Sequence, residues 1–371
     1  MQIEGVKFNA NDQPEFFKEL RRRVNQYFLD NNLSKHANLN MKFKTAFMLS
    51  LYFIPLILML TWGFTTIWAV TLMWVLMGFG MSGIGLSIMH DANHGSYSSD
   101  QNVNNMLGYV INFVGGYHVN WKIQHNVLHH SFTNIDGFDE DIDKGVMRFS
   151  PNQKRKWIFK YQLFYTPLFY SILSLYWITV KDFQQLFRYS KRDLLVGQGL
   201  TFNKALVQIV FNKAAYWLVT FVLPMVVLDF PWWQILLGFV LMHVICGLTL
   251  ACIFQSAHVI EDTDFYTADE EGCVENNWAI HQMRTTANFA KRSFFFSWFI
   301  GGLNYQIEHH LFPNICHVHY QHISGIVEKT AKEFNVPYYQ HRTFWGALKS
   351  HFTLLNQLGT GEYDRKLIAD Y

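Results

Sequence analysis

The sequence predicts an all-α membrane protein in which four transmembrane helices form two hairpins and carry a cytosolic helical cap. Two long apolar stretches, each long enough for two crossings, support the hairpins. Lysines and arginines lie outside those stretches and histidines cluster beside them, which supports a polar cap on one side. Hydrophobic residues make up 50% of the chain, yet a mean hydropathy of +0.03 is too low for a mostly embedded protein.

The first hairpin corresponds to an uncharged run from Thr45 to Met89. This run has 45 residues, about twice the roughly 20 that one helix needs to cross a bilayer. A soluble core helix would show polar residues at a regular spacing, which this run lacks. We therefore expect two helices joined by a very short turn between about Thr61 and Thr66.

The second hairpin is expected further along the chain. Its helices correspond to Ala214–Leu228 and Trp233–Phe254, joined by a turn at 229–231. Because the first of these helices is short, Lys213 is expected to snorkel at its end and extend it.

The positive charges predict the orientation of the chain. Lysines and arginines precede the first hairpin and lie between the hairpins, whereas the two tight turns carry none. Under the positive-inside rule, both termini and the long middle segment face the cytoplasm. The polar N-terminus has no apolar stretch typical of a cleavable signal peptide, so none is expected. A formal charge of only +2 gives no electrostatic footprint for nucleic acid.

The expected organisation is an N-terminal cytosolic segment followed by one large domain. The boundaries are 1–44 for the segment and 45–371 for the domain, with hairpins near 45–89 and 214–254 and cytosolic segments 90–213 and 255–371.

Seventeen histidines are unevenly placed. Three motifs hold most of the candidates: His90 and His94 in HDANH, His125, His129 and His130 in HNVLHH, and His309 and His310 in QIEHH, which begins with Gln306. His258 stands alone in QSAH. Residues four apart on a helix share a face, so HDANH and HNVLHH can each direct two imidazoles at one point. Neutral imidazole suits zinc, copper, iron and nickel. One ion cannot use seven or eight imidazoles, so the set predicts two ions close together.

The histidine clusters can share ions only if they lie on one side of the membrane. Between His130 and His258 the chain must then cross an even number of times, and the second hairpin supplies two crossings. The uncharged stretch Tyr161–Val180 is long enough to span but is therefore expected to lie at the interface, where tyrosine is favoured. The run Phe294–Leu303 is too short to span and is also expected at the interface.

Other polar residues allow two interpretations. His118 and His243 can support the metal ligands or be ordinary buried histidines. The basic stretch 154–156 can contact a phosphate group or only fix the topology. A surface position or one beside the ligands is expected for His281, His317, His319 and His322. A solvated loop, rather than a docking surface, is expected for Asp139, Glu140, Asp141 and Asp143.

The motifs HDANH, HNVLHH and QIEHH resemble the three histidine boxes of the membrane fatty acid desaturase family. The flanking segments 277–282, 285–289 and especially 301–320 resemble its front-end and linoleoyl-CoA-desaturase-like branch. The resemblance covers roughly Phe43 to Gly359.

The resemblance implies a diiron site in the cap and carries its ligands to matching positions. These ligands are His90, His94, His125, His129, His130, His258, His309 and His310, with Gln306 where many members have a ligating histidine. Metal-bound histidines usually donate their second N–H to a carboxylate or carbonyl. Asp91, Asn93 and Glu308 lie beside ligands and can take that role or only solvate a helix end.

The resemblance also implies the reaction, in which dioxygen and two electrons are used to introduce a cis double bond into an acyl chain. The acyl carrier is coenzyme A or a lipid. No HPGG haem motif occurs in the sequence, so electrons are expected from a separate donor of the ferredoxin or cytochrome b5 type.

Two other classes of protein remain open at this stage. A hydroxylase, ketolase or alkane monooxygenase uses the same histidine boxes and differs by substrate placement. A zinc-binding membrane receptor or hydrolase needs only three or four ligands, which leaves most of the histidines unexplained.

Overall fold

The computed structural model describes residues 6–369, and that part of the chain is largely helical. Its first ten α-helices are α1 Pro14–Asp30, α2 Leu39–Thr61, α3 Ile67–Gly83, α4 Met89–Asn93, α5 Gln101–Tyr109, α6 His118–Lys122, α7 His130–Phe132, α8 Gln162–Ser171, α9 Leu173–Tyr176 and α10 Asp182–Lys191. The remaining ones are α11 Phe202–Trp217, α12 Leu223–Val227, α13 Trp232–His258, α14 Trp278–Arg284, α15 Phe294–Phe299, α16 Gln306–Leu311, α17 Tyr320–Glu333, α18 Phe344–Thr360 and α19 Glu362–Ala369.

Short π-helical and 3₁₀ turns interrupt or extend these helices. The π-helical turns are Ile84–Ile88, Ile123–His129, Trp177–Lys181 and Leu218–Val222. The 3₁₀ turns are Val110–Val114, Trp157–Tyr161, Val196–Gln198 and His317–His319. Four short strands form two parallel pairs, β1 Lys7–Phe8 with β2 Cys273–Val274 and β3 Ala287–Phe289 with β4 Tyr339–His341.

Four continuous helical stretches are long and apolar enough to cross a membrane. They are Leu39–Thr61, Ile67–Asn93, Phe202–Val227 and Trp232–His258. The first two are separated only by residues 62–66, which confirms the predicted position of the first tight turn. The chain is therefore an all-α membrane protein with two hairpins, as the uncharged runs predict.

The third membrane helix begins earlier than expected, and the snorkelling position predicted for Lys213 is wrong. The helix begins at Phe202, where the Thr201 side chain accepts a hydrogen bond from the amide of Lys204. Lys213 thus lies inside the helix, and its buried ammonium group pairs with the carboxylate of Asp182. Because this partner compensates the buried charge, the apolar run does not have to end at the lysine.

The apolar stretch Tyr161–Val180 belongs to a bent pair of helical segments. A 61° bend separates Trp157–Ser171 from Leu173–Lys191. Such a pair is compatible in length and composition with a broken span or a re-entrant loop. The interfacial position of this stretch therefore stays a prediction.

The chain divides into two compact units. Unit 2 comprises Ala37–Ile123 and Leu168–Ala251, and it contains the first three membrane helices and most of α13. Its helices pack closely where glycine faces a neighbouring backbone. A Cβ at Gly80 would lie 2.7 Å from the amide nitrogen of Tyr52, so α2 and α3 could not approach this closely with any larger residue.

Unit 1 comprises Met1–His36, Gln124–Pro167 and Cys252–Tyr371. Its core contains one face of α1, whose Phe16, Leu20, Val24 and Phe28 recur at helical spacing and are buried with apolar residues of α14, α16 and α17. The N-terminal helix therefore packs in the same core as the QIEHH helix. The expected boundary at residue 44 falls inside α2.

Candidate metal centre

The second histidine motif lies on a π-helical turn and not on a regular α-helix. This turn covers Ile123–His129, and because a π-helix has hydrogen bonds between residues five apart, such residues can face each other. The Nε2 atoms of His125 and His130 are 3.2 Å apart, and their ring centroids are 4.7 Å apart. The rings of His125 and His129 are stacked with centroids 5.4 Å apart, and a ligand nitrogen of each lies within 4.8 Å of the other, so this pair also converges as the spacing predicts.

The third motif brings α16 to the same place. His309 is buried, and its Nε2 atom lies 2.9 Å from that of His130. The rings of His125 and His309 are stacked with centroids 5.7 Å apart. His125, His130 and His309 therefore converge through their Nε2 atoms in one buried cluster.

A second group of histidines converges beside the first. His129, His258 and His310 each offer a ring nitrogen, and these nitrogens lie within 4.8 Å of one another. His258 is the last residue of α13. The end of that helix, Cys252–His258, belongs to unit 1 together with the other two histidines. His310 also lies within the same limit of His130 and His309, so it adjoins both groups.

The Nδ1 atoms of these histidines face protein acceptors. The carboxylate of Asp139 lies 3.1 Å from Nδ1 of His129, and the carbonyl of Thr285 lies 3.1 Å from Nδ1 of His258. Nδ1 of His310 lies 2.8 Å from Oε1 of Gln282. Nδ1 of His309 lies 3.2 Å from the hydroxyl of Tyr320. Acceptors at Nδ1 favour the tautomer that leaves an Nε2 lone pair available to a metal ion.

The arrangement of unit 1 fits a metal centre. Nε2 of His258 is buried and has no hydrogen-bond partner among the described residues, although its Nδ1 atom is held. A buried polar atom without a partner is costly, and a metal ion would satisfy it. Gln306 is also buried, and its amide nitrogen has no partner in the described part of the chain.

His90 and His94 lie in unit 2. They are on α4, directly after the π-helical turn Ile84–Ile88, and their ring centroids are 4.9 Å apart. The indole of Trp121 packs edge-on against both rings, with centroid distances of 5.5 and 5.8 Å. The first motif thus presents its two imidazoles side by side, as the HxxxH spacing predicts.

Asp139 corrects the expectation for the acidic segment. Asp139 and Glu140 are buried and are not part of a solvated loop. The carboxylate of Asp139 also accepts hydrogen bonds from the backbone amides of Asn134 and Asp141, each at 2.9 Å. Burial lowers the pKa of His129, but the charge and hydrogen bond of Asp139 outweigh it, so the net shift is upward.

Comparison with known proteins identifies the family to which the chain is similar. Residues 65–342 match the family model for fatty acid desaturases. An acyl-lipid (8-3)-desaturase from Physcomitrium patens is 40% identical over 96% of this chain and 74% of its own length. Two sn-1 linoleoyl-lipid 6-desaturases are similarly related. The one from Synechocystis is 35% identical over 96% of this chain and 98% of its own length, and the one from Arthrospira platensis is 34% identical over 92% of each.

The chain belongs to the fatty acid desaturase family. It is a membrane fatty acyl desaturase and therefore an oxidoreductase, in the branch of front-end and acyl-lipid enzymes. The hydroxylase and zinc-protein alternatives are not favoured by these relatives.

The residues expected to support ligands have different contacts in the desaturase. The Glu308 carboxylate accepts hydrogen bonds from the Asn288 amide and the Tyr338 hydroxyl, each at 2.8 Å, and burial raises its pKa. Oδ1 of Asp91 is 3.9 Å from Nδ1 of His90, which is beyond hydrogen-bonding distance. The amide of Asn93 donates to the carbonyl of Gly108 at 3.3 Å.

Sequence reasoning missed several residues that position the desaturase histidines. His281, expected at the surface or beside the ligands, is fully buried, and its Nε2 atom lies 2.7 Å from the carbonyl of Thr133. Gln282 contacts His310 and also donates to the carbonyl of His130 at 3.2 Å. The sequence held one signal for His281 and Gln282, because both lie in the segment 277–282 that resembles the family. The resemblance gave these two residues no role. His118 lies in unit 2 and pairs with Asn112 at 3.0 Å.

Proposed function

We propose that the desaturase binds two iron ions through eight histidines. The proposed ligands are His90, His94, His125, His129, His130, His258, His309 and His310, with Gln306 as a further candidate. For the unit 1 histidines, the proposal is supported by their convergence and by acceptors at four of their Nδ1 atoms. For His90 and His94, it is supported by their adjacent rings and by the resemblance of HDANH to the first histidine box.

The observation that carries the proposal is the close approach of imidazole Nε2 atoms in buried side chains. Separations of 2.9 and 3.2 Å between imidazole nitrogens, in side chains that are at most 6% exposed, are unusual without a shared ligand. Imidazole nitrogen is a suitable ligand for iron, and the eight proposed histidines exceed what one ion can use. The donor set therefore supports two ions.

The protein groups and the metal ions would divide the work of the reaction. When bound, the ions supply the activation of dioxygen that removal of hydrogen from an unactivated methylene requires. Asp139, Thr285 and Gln282 fix the orientation of histidine rings through Nδ1. The six histidines of unit 1 are at most 6% exposed, and this burial would limit the access of water to them. In total, one –CH₂–CH₂– unit, dioxygen, two electrons and two protons give a cis double bond and two molecules of water.

We propose that the substrate is an acyl chain esterified to a membrane lipid. The Physcomitrium relative is named as an acyl-lipid desaturase, and the Synechocystis and Arthrospira relatives are named as linoleoyl-lipid desaturases. A front-end position for the new bond, between an existing double bond and the carboxyl end, is supported by the QIEHH motif and its flanks. An acyl-CoA substrate is the alternative that the experiment below distinguishes.

We further propose that the histidines and both termini face the cytoplasm and that a separate donor supplies the electrons. The positive charges before and between the hairpins support this orientation. The catalytic segments would then be 90–213 and 255–371 within a desaturase domain 45–371, preceded by the cytosolic segment 1–44. A ferredoxin or cytochrome b5 type protein is the proposed donor, since the reaction consumes two electrons that protein side chains do not supply.

The test is expression in a host with a simple fatty-acid profile, followed by product analysis in the separated lipid and acyl-CoA pools. We expect a product that has lost two hydrogens, that appears first in the lipid pool, and whose new bond lies towards the carboxyl end. A product that has gained one oxygen would contradict desaturation. First appearance in the acyl-CoA pool would contradict the proposed carrier.

A further inference from the structure

The parallel pairing of β3 and β4 brings two distant segments of unit 1 to one edge. Phe289 pairs with His341, and the amide of Ala290 donates to the carbonyl of His341 at 3.1 Å. Because the strands are parallel, the segments that follow them leave from the same end. Residues 291–299 and 342–345 therefore emerge side by side.

Packed aromatic rings hold these two segments together. Phe296 on α15 contacts Phe344 at the start of α18, with ring centroids 5.2 Å apart. Phe289 at the end of β3 contacts both rings, at 6.2 and 5.8 Å. The edge is therefore a fixed surface of unit 1.

Large aromatic side chains project from this edge into solvent. Phe294, Phe295 and Trp345 are 59%, 83% and 73% exposed. Together they leave on the order of 400 Å² of aromatic surface uncovered, taking about 200 Å² for each ring system. Apolar patches of several hundred Å² mark sites of interaction with another molecule or a membrane.

Two exposed arginines flank the aromatic rings. Arg292 lies two residues before Phe294, and Arg342 lies three residues before Trp345. Neither guanidinium makes a hydrogen bond or ion pair within the described residues. Surfaces that enter the lipid–water interface and contact negatively charged headgroups typically combine tryptophan and phenylalanine with arginine. This edge has that composition.

We propose that this aromatic–arginine edge, residues 292–295 and 342–345, inserts into the lipid–water interface and binds the phosphates of anionic phospholipids. Unit 1 is already tied to the membrane, because it includes Cys252–His258 at the end of the fourth membrane helix. The apolar rings enter the acyl region and the arginines contact phosphate oxygens. This contact is separate from the four spans and does not depend on the diiron assignment.

Photocrosslinking of the full-length desaturase in phosphatidylcholine–phosphatidylglycerol bilayers tests the insertion. The photoreactive p-benzoylphenylalanine replaces Phe295 or Trp345, and the control position is Leu29, an apolar residue of α1 that is 73% exposed. We expect phospholipid adducts by mass spectrometry at 295 and 345 and far fewer at 29. Equal adducts at all three positions, or adducts to a protein in place of lipid at 295 and 345, would overturn the proposal.

The double variant Arg292→Gln with Arg342→Gln tests the headgroup contact. It carries the photoreactive residue at 295, and its control is Lys329→Gln with Lys332→Gln, which removes the same charge from an exposed part of α17. We expect the phosphatidylglycerol share of the adducts to fall about fivefold for each arginine, which corresponds to about 1 kcal/mol each, and to stay unchanged in the control. An unchanged share in the arginine variant, or an equal fall in both variants, would overturn the assignment of the arginines.

Discussion

Among the buried polar clusters in the described part of the desaturase, one in unit 2 and one in unit 1 differ in how their hydrogen bonds are completed. In unit 2, the ammonium group of Lys213 donates to Asp182 and to the carbonyls of Gly115 and Trp177, at 2.6 and 2.9 Å for the carbonyls. The same carboxylate accepts from the indole of Trp177 at 3.2 Å. In unit 1, the Nδ1 atoms of His129, His258 and His309 face protein acceptors, and Nε2 atoms converge at His125, His130 and His309.

The difference separates a structural polar cluster from one that is built to hold a ligand. The Lys213–Asp182 cluster completes its own bonds, so removing one partner harms stability. The histidine cluster leaves Nε2 of His258 without a protein partner among the described residues, and a bound metal ion would complete it. Variants of the two clusters should therefore fail in different measurements.

The largest effect is expected for His130→Ala. Nε2 of His130 lies within 3.2 Å of the Nε2 atoms of both His125 and His309, so the variant removes the centre of one group. Activity should fall by more than about 100-fold, the upper end of the loss from removing only an outer partner of a ligand. Bound iron should fall with it. The control is His322→Ala, an exposed histidine of α17. Wild-type turnover in the His130 variant would exclude His130 as a ligand.

Lys213→Met should reduce stability but not iron binding per folded chain. The change leaves the carboxylate of Asp182 buried without its cation, which lowers the free energy of unfolding by about 3–5 kcal/mol. Thermal unfolding in detergent measures the loss, and combining Lys213→Met with Asp182→Asn should recover part of it. A variant that unfolds normally but loses iron would contradict the contrast between the clusters.

Asp139→Asn should weaken metal binding by about 10–100-fold, the usual effect of losing an outer partner. The asparagine keeps a hydrogen-bond acceptor near Nδ1 of His129 but removes the negative charge. Iron retention against a chelator measures the change. The matched control is Asp143→Asn, which alters an exposed carboxylate of the same segment. Equal retention in both variants would mean that the charge of Asp139 does not tune His129.

The smallest effect on turnover is expected for Asn288→Ala. Asn288 accepts from the amide of Ile307 at 3.0 Å and donates to Glu308, so it fixes the first turn of α16 before His309. Leaving these buried groups unsatisfied should cost about 1–3 kcal/mol in stability, with less than about tenfold loss of turnover. Thermal unfolding compares it with Asn25→Ala at an exposed position of α1. An unchanged unfolding temperature in both variants would mean that the hydrogen bonds of Asn288 do not stabilise the first turn of α16.

The sequence predicted the features that depend on charge and spacing. An uncharged run of 45 residues fixed the first hairpin and its turn, and the histidine motifs identified the residues that converge in unit 1. It failed where tertiary partners override local patterns. The local pattern predicted Lys213 at a helix end. Its partner, Asp182, is 31 residues away, so the pattern around Lys213 does not show that its charge is compensated.

The finer arrangement of the histidines was also beyond the sequence. The π-helical turn Ile123–His129 accompanies an additional close approach of His125 to His130, and the residue pattern of HNVLHH gives no sign of this turn. Asp139 looked like one member of a solvated acidic run, because only the fold shows that its carboxylate turns inward to His129. Spacing identified the ligand candidates, whereas the folded chain determines their partners.

Metal analysis of the purified, active desaturase tests the central claim most directly. We predict two iron ions for each chain, and the loss of iron in His130→Ala while Lys213→Met retains it in the folded fraction. One zinc ion and no iron in the active enzyme would contradict the diiron assignment.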